Sequence, residues 1–325
     1  MQYLSAILIL GACSIAAGAQ TLGDYPPRFA HERAGRFEIT AANVYLCSSL
    51  QSGELSSALL QLDQALFAGE ARRAPRSLPA GGGVLVGLQN ESPLLRGLLN
   101  RCKKDLPKSG LGQEGFLIDV APNRILITAA HPAGLYYGIR RVTALAAGGI
   151  NCGTYADWPA MRWRGLHVLV SGRASIPAIE ELLTSYMPQR RLNELILEVG
   201  YNYQFKSHPE IAAPDGLTFD DCRRLAAVAA ANYIRIVPEI DCLGHQSWAK
   251  TTFALLRTHP EFDETPDAPV DNSTLYCRSW CPSDPDVYRV VDDLADELID
   301  AFHADAFHVG MDEVFLLGKC PRCKG

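Results

Sequence analysis

Basic charge is scarce in this chain: 30 Lys and Arg stand against 36 Asp and Glu, for a formal charge of −6 and a pI near 5.8. No basic stripe is present of the kind a phosphate backbone requires, so nucleic acid is excluded as the expected partner. Long apolar runs are equally scarce. Beyond the first 20 residues nothing approaches the length of a transmembrane span. With 325 residues and 48% hydrophobic content, the chain is long enough for two globular domains.

The first 20 residues, MQYLSAILILGACSIAAGAQ, hold an apolar core of signal-peptide length but no Lys or Arg. They read as an export signal. Ala17-Gly18-Ala19 suits cleavage before Gln20, whereas Leu10-Gly11-Ala12-Cys13 resembles a lipoprotein box with Cys13 as the lipid anchor. A short buried helix is the competing reading. Export would put the remaining cysteines of the total of 10 in an oxidising compartment. Cys47, Cys102, Cys152, Cys222 and Cys242 are scattered and read as small buried hydrophobes.

Two patterns succeed one another along the chain. A mixed pattern, assigned to a domain over 30–155, predicts helices over 54–73, 93–104 and 133–147. Strands are expected over 83–88, 115–120 and 124–129, the last two joined by a Pro122-Asn123 turn. From Trp163 the rhythm becomes strand then helix, assigned to a second domain over 160–325. Strands are predicted over 164–170, 194–199, 234–240 and 306–312, with helices over 176–190, 218–232 and 284–302. Ser175 is the expected N-cap of the first of these helices, and Thr218 with Asp221 forms a capping box on the second. Such alternation builds a parallel sheet wound with helices, either part of a (β/α)8 barrel or an open doubly wound sheet. A whole barrel takes about 250 residues. The chain stops at Gly325 after the fourth expected strand, so the barrel is expected to be incomplete.

The most informative stretch is Phe307-His308-Val309-Gly310-Met311-Asp312-Glu313-Val314, two adjacent carboxylates closing an expected strand. Alternation puts His308, Gly310 and Asp312 on one face and leaves Glu313 where the chain exits. His308 reads as a satisfied core histidine. Ordinary glycosidases separate their two carboxylates by about 5 to 9.5 Å across the sugar. Adjacent residues have Cα atoms about 3.8 Å apart. They suit a different division of labour, in which one acid protonates the leaving oxygen and its neighbour steers a nucleophile belonging to the substrate.

His308 to Glu313 is similar to the His-x-Gly-Gly-Asp-Glu signature of glycoside hydrolase family 20, the β-N-acetylhexosaminidases, with Met311 in place of the second glycine. Asp157-Trp158-Pro159 with Trp163-Arg164-Gly165-Leu166-His167, and Val237-Pro238-Glu239-Ile240 with Gly244-His245, resemble the family's first and third strands. Glu114-Gly115-Phe116 through Tyr137-Gly138 resembles the end of its zincin-like α+β domain. The resemblance implies such a domain, an incomplete TIM barrel of about four strands, and a hydrolase that removes terminal β-linked N-acetylhexosamine from glycans. It implies that Glu313 is the acid, its pKa raised by burial beside Asp312. Asp312 would orient the acetamido group, Arg164 would grip sugar hydroxyls, and His245 would support Asp312. Neither the residues nor the resemblance calls for a cofactor or a catalytic metal.

After the second strand the family carries an acidic pair where this chain reads Leu197-Glu198-Val199-Gly200-Tyr201-Asn202-Tyr203. That segment, with Val314-Phe315-Leu316-Leu317-Gly318, resembles the hexosaminidase D branch, and Glu198 is the candidate hydroxyl-binding carboxylate. A non-hydrolytic glycan-binding protein on the same scaffold is the alternative function. Cys277, Cys281, Cys320 and Cys323 fall in loops expected on one face, as a disulfide or a four-sulfur zinc site. The resemblance suggests the disulfide.

Overall fold

The computed structural model describes residues 26–38, 44–46, 55–66, 72–73, 82–146, 149–271, 275 and 277–324. The expected export signal, Cys13 and Cys47 lie outside them. The described residues divide into two compact units, one formed by those between Pro26 and Arg162 together with Gln189–Arg191, the other by Trp163–Pro188 and those from Leu192 to Lys324.

Among the described residues the first unit is a seven-stranded sheet with three α-helices. Its strands are β1 (Phe29–Arg36), β2 (Val44–Leu46), β3 (Arg72–Arg73), β4 (Gly83–Leu88), β5 (Phe116–Ala121), β6 (Arg124–Ala129) and β7 (Asn151–Asp157), in the spatial order β1-β7-β5-β6-β4-β2-β3. Its helices are α1 (Ser56–Leu66), α2 (Pro93–Cys102) and α3 (Pro132–Ala146). The helix expected over 54–73 is therefore shorter, since Arg72–Arg73 pair with β2 as strand.

The near-continuous apolar runs of β4, β5 and β6 follow from burial on both faces. Leu85, Leu117 and Leu126 pack with Leu95 and Leu98 of α2. On the opposite face Gly134 and Gly138 bring α3 onto the sheet, where an added Cβ would fall 2.3 Å from the Gly115 carbonyl and 2.8 Å from Ile127. The Pro122-Asn123 turn forms, with Ala121 opposite Arg124. Strands β1 and β7 carry no apolar alternation and escaped sequence reasoning. β1 is an exposed edge strand whose register is set by pairing with β7.

The second unit is built on three parallel strands, β8 (Gly165–Leu169), β9 (Glu194–Glu198) and β10 (Arg235–Glu239), in the order β10-β9-β8. Helices α4 (Ile176–Glu181), α5 (Phe219–Ala231) and α6 (Pro285–Phe302) accompany them. Leu166, Val168, Leu195, Leu197 and Ile236 share a face and join the same core as Leu225, Val287, Leu294 and Leu298. α6 shows its origin plainly. Asp284 caps it by accepting from the Asp286 amide at 3.0 Å, Pro285 occupies its first turn, and Val287, Val290, Val291, Leu294 and Leu298 recur at helical spacing on its buried side.

Three local expectations are corrected. Ser175 does not cap α4: its hydroxyl accepts from the Ser171 amide at 3.0 Å and makes no cap bond. The helix over 176–190 is not uniform either, because a π-helical turn at Leu182–Tyr186 follows α4 before Met187–Gln189. Pro188 has no N–H and its ring crowds the carbonyl four residues back, which a wider turn relieves. Thr218 and Asp221 do form the expected capping box. The third correction concerns the fourth strand, which reduces to one bridge between His308 and Glu239, with His308 N donating to Pro238 O at 3.0 Å and Cys242 N to Val309 O at 2.8 Å. Gly310 at φ +46° and Glu313 at φ +47° leave extended geometry, so strict alternation does not govern Asp312.

Candidate active site

The parallel register assembles the site. Because Leu169, Glu198 and Glu239 are partners across β8, β9 and β10, the two glutamates stand side by side at the C-terminal strand ends, on the face away from the helices. His167, two residues before Leu169, reaches both: its Nε2 lies 3.1 Å from Glu198 and 2.8 Å from Glu239. The other oxygen of Glu239 is 2.7 Å from His308 Nδ1. His308 is thus satisfied, but about half exposed rather than in a core.

Asp241, just past β10, is held between this group and the acidic pair. Burial pushes its carboxyl up to about 7, reinforced by the charges of Glu198 and Glu239. Burial and then Glu239 also raise Glu198. Gly310 makes the close packing feasible: a Cβ there would sit 2.1 Å from Asp241 Oδ1 and 2.7 Å from Glu239 Oε1. Only a residue without a side chain fits, and the positive φ points the same way.

The loop after β10 delivers His245. Leu243 and His245 adopt positive φ, and Gly244 lies so close to the acidic segment that a Cβ would be 2.9 Å from Asp312 O. Buried Gln246 fixes the loop by donating to the carbonyls of Asp241 and Gly244, each at 2.8 Å, while accepting from Tyr201 Oη at 2.6 Å. Tyr201 stands in the segment where the acidic pair is missing. His245 Nε2 then lies 3.3 Å from Asp312 Oδ2 and 3.5 Å from Glu313 Oε2.

The geometry therefore unites His245, Asp312 and Glu313, with Glu198 coupled to His245 through its charge. Arg164 starts from the opposite end of the layer: it immediately precedes β8, and its backbone pairs with Asn193. Glu313 is not buried as expected, being 40% exposed in its side chain, and Asp312 is 72% exposed. Chemically, the arrangement offers two adjacent carboxylates on an open side, one histidine between them, and a buried acidic floor.

Sequence reasoning gave no role to His167, Glu239 or Asp241. The apolar Ile236-Val237-Pro238 run ending in an acid was the available signal for the last two. It also misplaced Cys277, whose Sγ lies 3.6 Å from His245 Nδ1 and 3.7 Å from Glu313 Oε2, away from the other three loop cysteines. The steric reason is local: Cys277 has φ +50° at the start of the segment that pairs with the His245 loop through Arg278 O and Trp280 N. Among the described residues three groups hold donor atoms within metal-binding range. They are His167, Glu198 and Glu239; His245, Cys277 and Glu313; and Glu264, Cys281, Cys320 and Cys323.

Parallel strands wound with helices, with acids gathered at the strands' C-terminal ends, define an α/β fold of TIM-barrel type. The fold matches solved structures at low identity. The chitobiase of Flavobacterium johnsoniae matches with a TM-score of 0.69 and 22% identity, covering 92% of this chain and 46% of that one. The family 20 β-N-acetylhexosaminidase of Streptomyces coelicolor A3(2) gives 0.66 and 20%, over 90% of this chain and 60% of that one. Residues 187–324 match the catalytic domain of glycosyl hydrolase family 20. Over that stretch, less than half of its length, the chain is similar to this family. In sequence it is 28% identical over 245 residues to a beta-hexosaminidase of Akkermansia muciniphila, covering 66% of this chain and 48% of the relative. A lacto-N-biosidase of Bifidobacterium bifidum is 26% identical, over 64% of this chain and 18% of the relative. The chain thus spans about half the length, or less, of these curated relatives.

Proposed function

We propose that the protein removes terminal β-linked N-acetylhexosamine from glycans by substrate-assisted, retaining hydrolysis. Glu313 protonates the glycosidic oxygen and then activates water. Asp312 orients the acetamido group, whose oxygen attacks the anomeric carbon. The observation that carries this reading is His245 Nε2 within 3.5 Å of both carboxylates at the open rim of the strand layer. Adjacent acids cannot flank a sugar from opposite faces, so a nucleophile from the substrate accounts for both of them. Glu198 is assigned to the sugar hydroxyls, supported by its place beside His167 and Glu239; Arg164, at the N-terminal end of β8, is not given that role.

The reading extends to architecture and location. The first unit is the zincin-like α+β domain and the second is part of a (β/α)8 barrel, supported by structural matches that cover about nine-tenths of this chain. Export is supported by the apolar composition of the first 20 residues.

The test uses the full-length protein and an alkyl β-N-acetylglucosaminide, whose poor leaving group depends on protonation. The wild type should hydrolyse it with retention, and Glu313→Gln should lose about 10²–10⁴-fold in kcat. Glycan binding without any turnover, or turnover indifferent to Glu313→Gln, would refute the proposal.

A further inference from the structure

Glu264, Cys281, Cys320 and Cys323 form a second chemical centre that the hydrolytic reading does not use. Their donor atoms all lie within 4.8 Å of one another. Cys281 Sγ is 3.4 Å from the sulfurs of both Cys320 and Cys323, and Cys323 Sγ is 3.1 Å from Glu264 Oε1. A tetrahedral zinc with bonds of ~2.3 Å to sulfur separates its ligand atoms by ~3.8 Å. The observed spacing is close to that, with four donors of types zinc accepts.

Burial gives the cluster a direction. Glu264 is 0% exposed, Cys281 2% and Cys320 4%. The Glu264 carboxylate accepts from the Lys319 amide at 2.6 Å and the Cys320 amide at 3.0 Å through Oε2, which leaves Oε1 facing the thiols. A carboxylate taken fully out of water calls for a cation or several donors. Two amides orient it, and a bound cation would complete the compensation. The sulfurs are oriented in the same manner: the Cys323 amide donates to Cys320 Sγ at 3.3 Å, within a Cys-Pro-Arg-Cys turn. Ligands held by such outer bonds are preorganised for metal. Three sulfurs also argue against a disulfide as the cluster's purpose, since any one pairing strands a thiol beside a buried carboxylate.

We infer that Glu264, Cys281, Cys320 and Cys323 bind a structural zinc ion, with Glu264 taking the place sequence reasoning gave to Cys277. On binding, the three thiols release three protons and ligate as thiolates, and Glu264 ligates as a carboxylate. Four protein ligands leave no open position, so the ion is structural. Its effect follows from connectivity. It ties the segment following Glu313 to the loop ahead of α6 and to the turn after Phe262, so it braces the acidic rim from outside. The inference stands independently of hydrolytic activity.

The experiment is metal analysis of the full-length protein purified without added metal or chelator, with zinc-edge X-ray absorption. About one zinc per chain is expected, in a shell of three sulfurs and one oxygen, with Cys281, Cys320 and Cys323 alkylated only after a chelator removes the ion. Cys323→Ser should reduce zinc content at least tenfold, and Glu264→Gln should weaken zinc affinity at least tenfold while the three sulfurs remain in the shell. Zinc below a tenth of an equivalent, with a Cys281–Cys320 or Cys281–Cys323 linked peptide recovered under non-reducing conditions, would overturn the inference. Should Cys323→Ser fail to fold, the wild-type absorption spectrum and thiol count decide alone.

Discussion

Asp119 in the first unit and Asp241 in the second are both aspartates withdrawn from solvent, and they have opposite fates. Asp119 lies within β5 and is met by Arg33 at 2.7 Å, Arg124 at 3.1 Å and the Thr154 hydroxyl at 2.8 Å. Burial pushes its carboxyl up, but the Arg33 and Thr154 hydrogen bonds and the two arginine charges outweigh that and hold it low. Asp241 is met by Glu198, Glu239 and Asp312, with His245 as the opposing charge, and its carboxyl rises to about 7. A carboxylate supplied with cations holds strands together. One crowded by its own kind is poised to hold a proton, which is the usual condition of a site that performs chemistry.

The sharpest way to break this comparison is to remove the acid at the rim. Glu313→Gln should cost about 10²–10⁴-fold in kcat with an unchanged melting temperature, because the residue is exposed and serves no core. Asp119→Ala should do the reverse. Removing one partner from a buried charge network costs about 3–5 kcal/mol; part-exposure of Arg33 and Arg124 reduces this to about 2–3 kcal/mol. Denaturant unfolding would show the loss, with kcat preserved in the folded fraction. Equal effects on stability from both substitutions would erase the distinction between the units. Next in size is Gly310→Ala. Its methyl meets Asp241 and Glu239 at distances no Cβ tolerates, and its positive φ adds about 1–2 kcal/mol of strain. Activity should fall because the acidic segment shifts, measured as kcat at saturating substrate.

How much of this was legible in the sequence depends on the type of signal. Apolar period, with the Thr218–Asp221 box on α5, identified β4, β6, α2, α3, α5 and α6 within a residue or two; the structure adds Ser92 and Asp284 as the caps of α2 and α6. Edge strand β1 carried no such period, since pairing with β7 alone fixes it. In the site, Asp312, Glu313 and His245 were legible from one short motif and one loop. Glu239 and Asp241 were not, because their significance arises from cross-strand register and from Gly310 making room, neither of which a linear pattern displays. Cys277 failed for a related reason: proximity in sequence to Cys281 says nothing about the left-handed residue that turns its sulfur toward His245.

The smallest effect tests the comparison most directly, because it is read from a slope. Raised to about 7 in the folded protein against an ordinary 3.8, Asp241 keeps a proton that the unfolded chain releases. The native state therefore binds more protons between about pH 4 and pH 7, and stability falls as pH rises through that window. Below it the penalty is absent; above it the penalty is complete. Asp241→Asn removes this contribution and should make the protein more stable than wild type at pH 7.5, while the two match near pH 4.5. At a partly solvated site the gain is discounted to about 1–2 kcal/mol. Glu198, raised for the same reason, leaves a residual slope of the same sign. Urea unfolding across that range would reveal the difference. Parallel wild-type and Asp241→Asn curves would mean that the acids at the strand ends are solvated like any surface group, and the contrast with Asp119 would then rest on geometry alone.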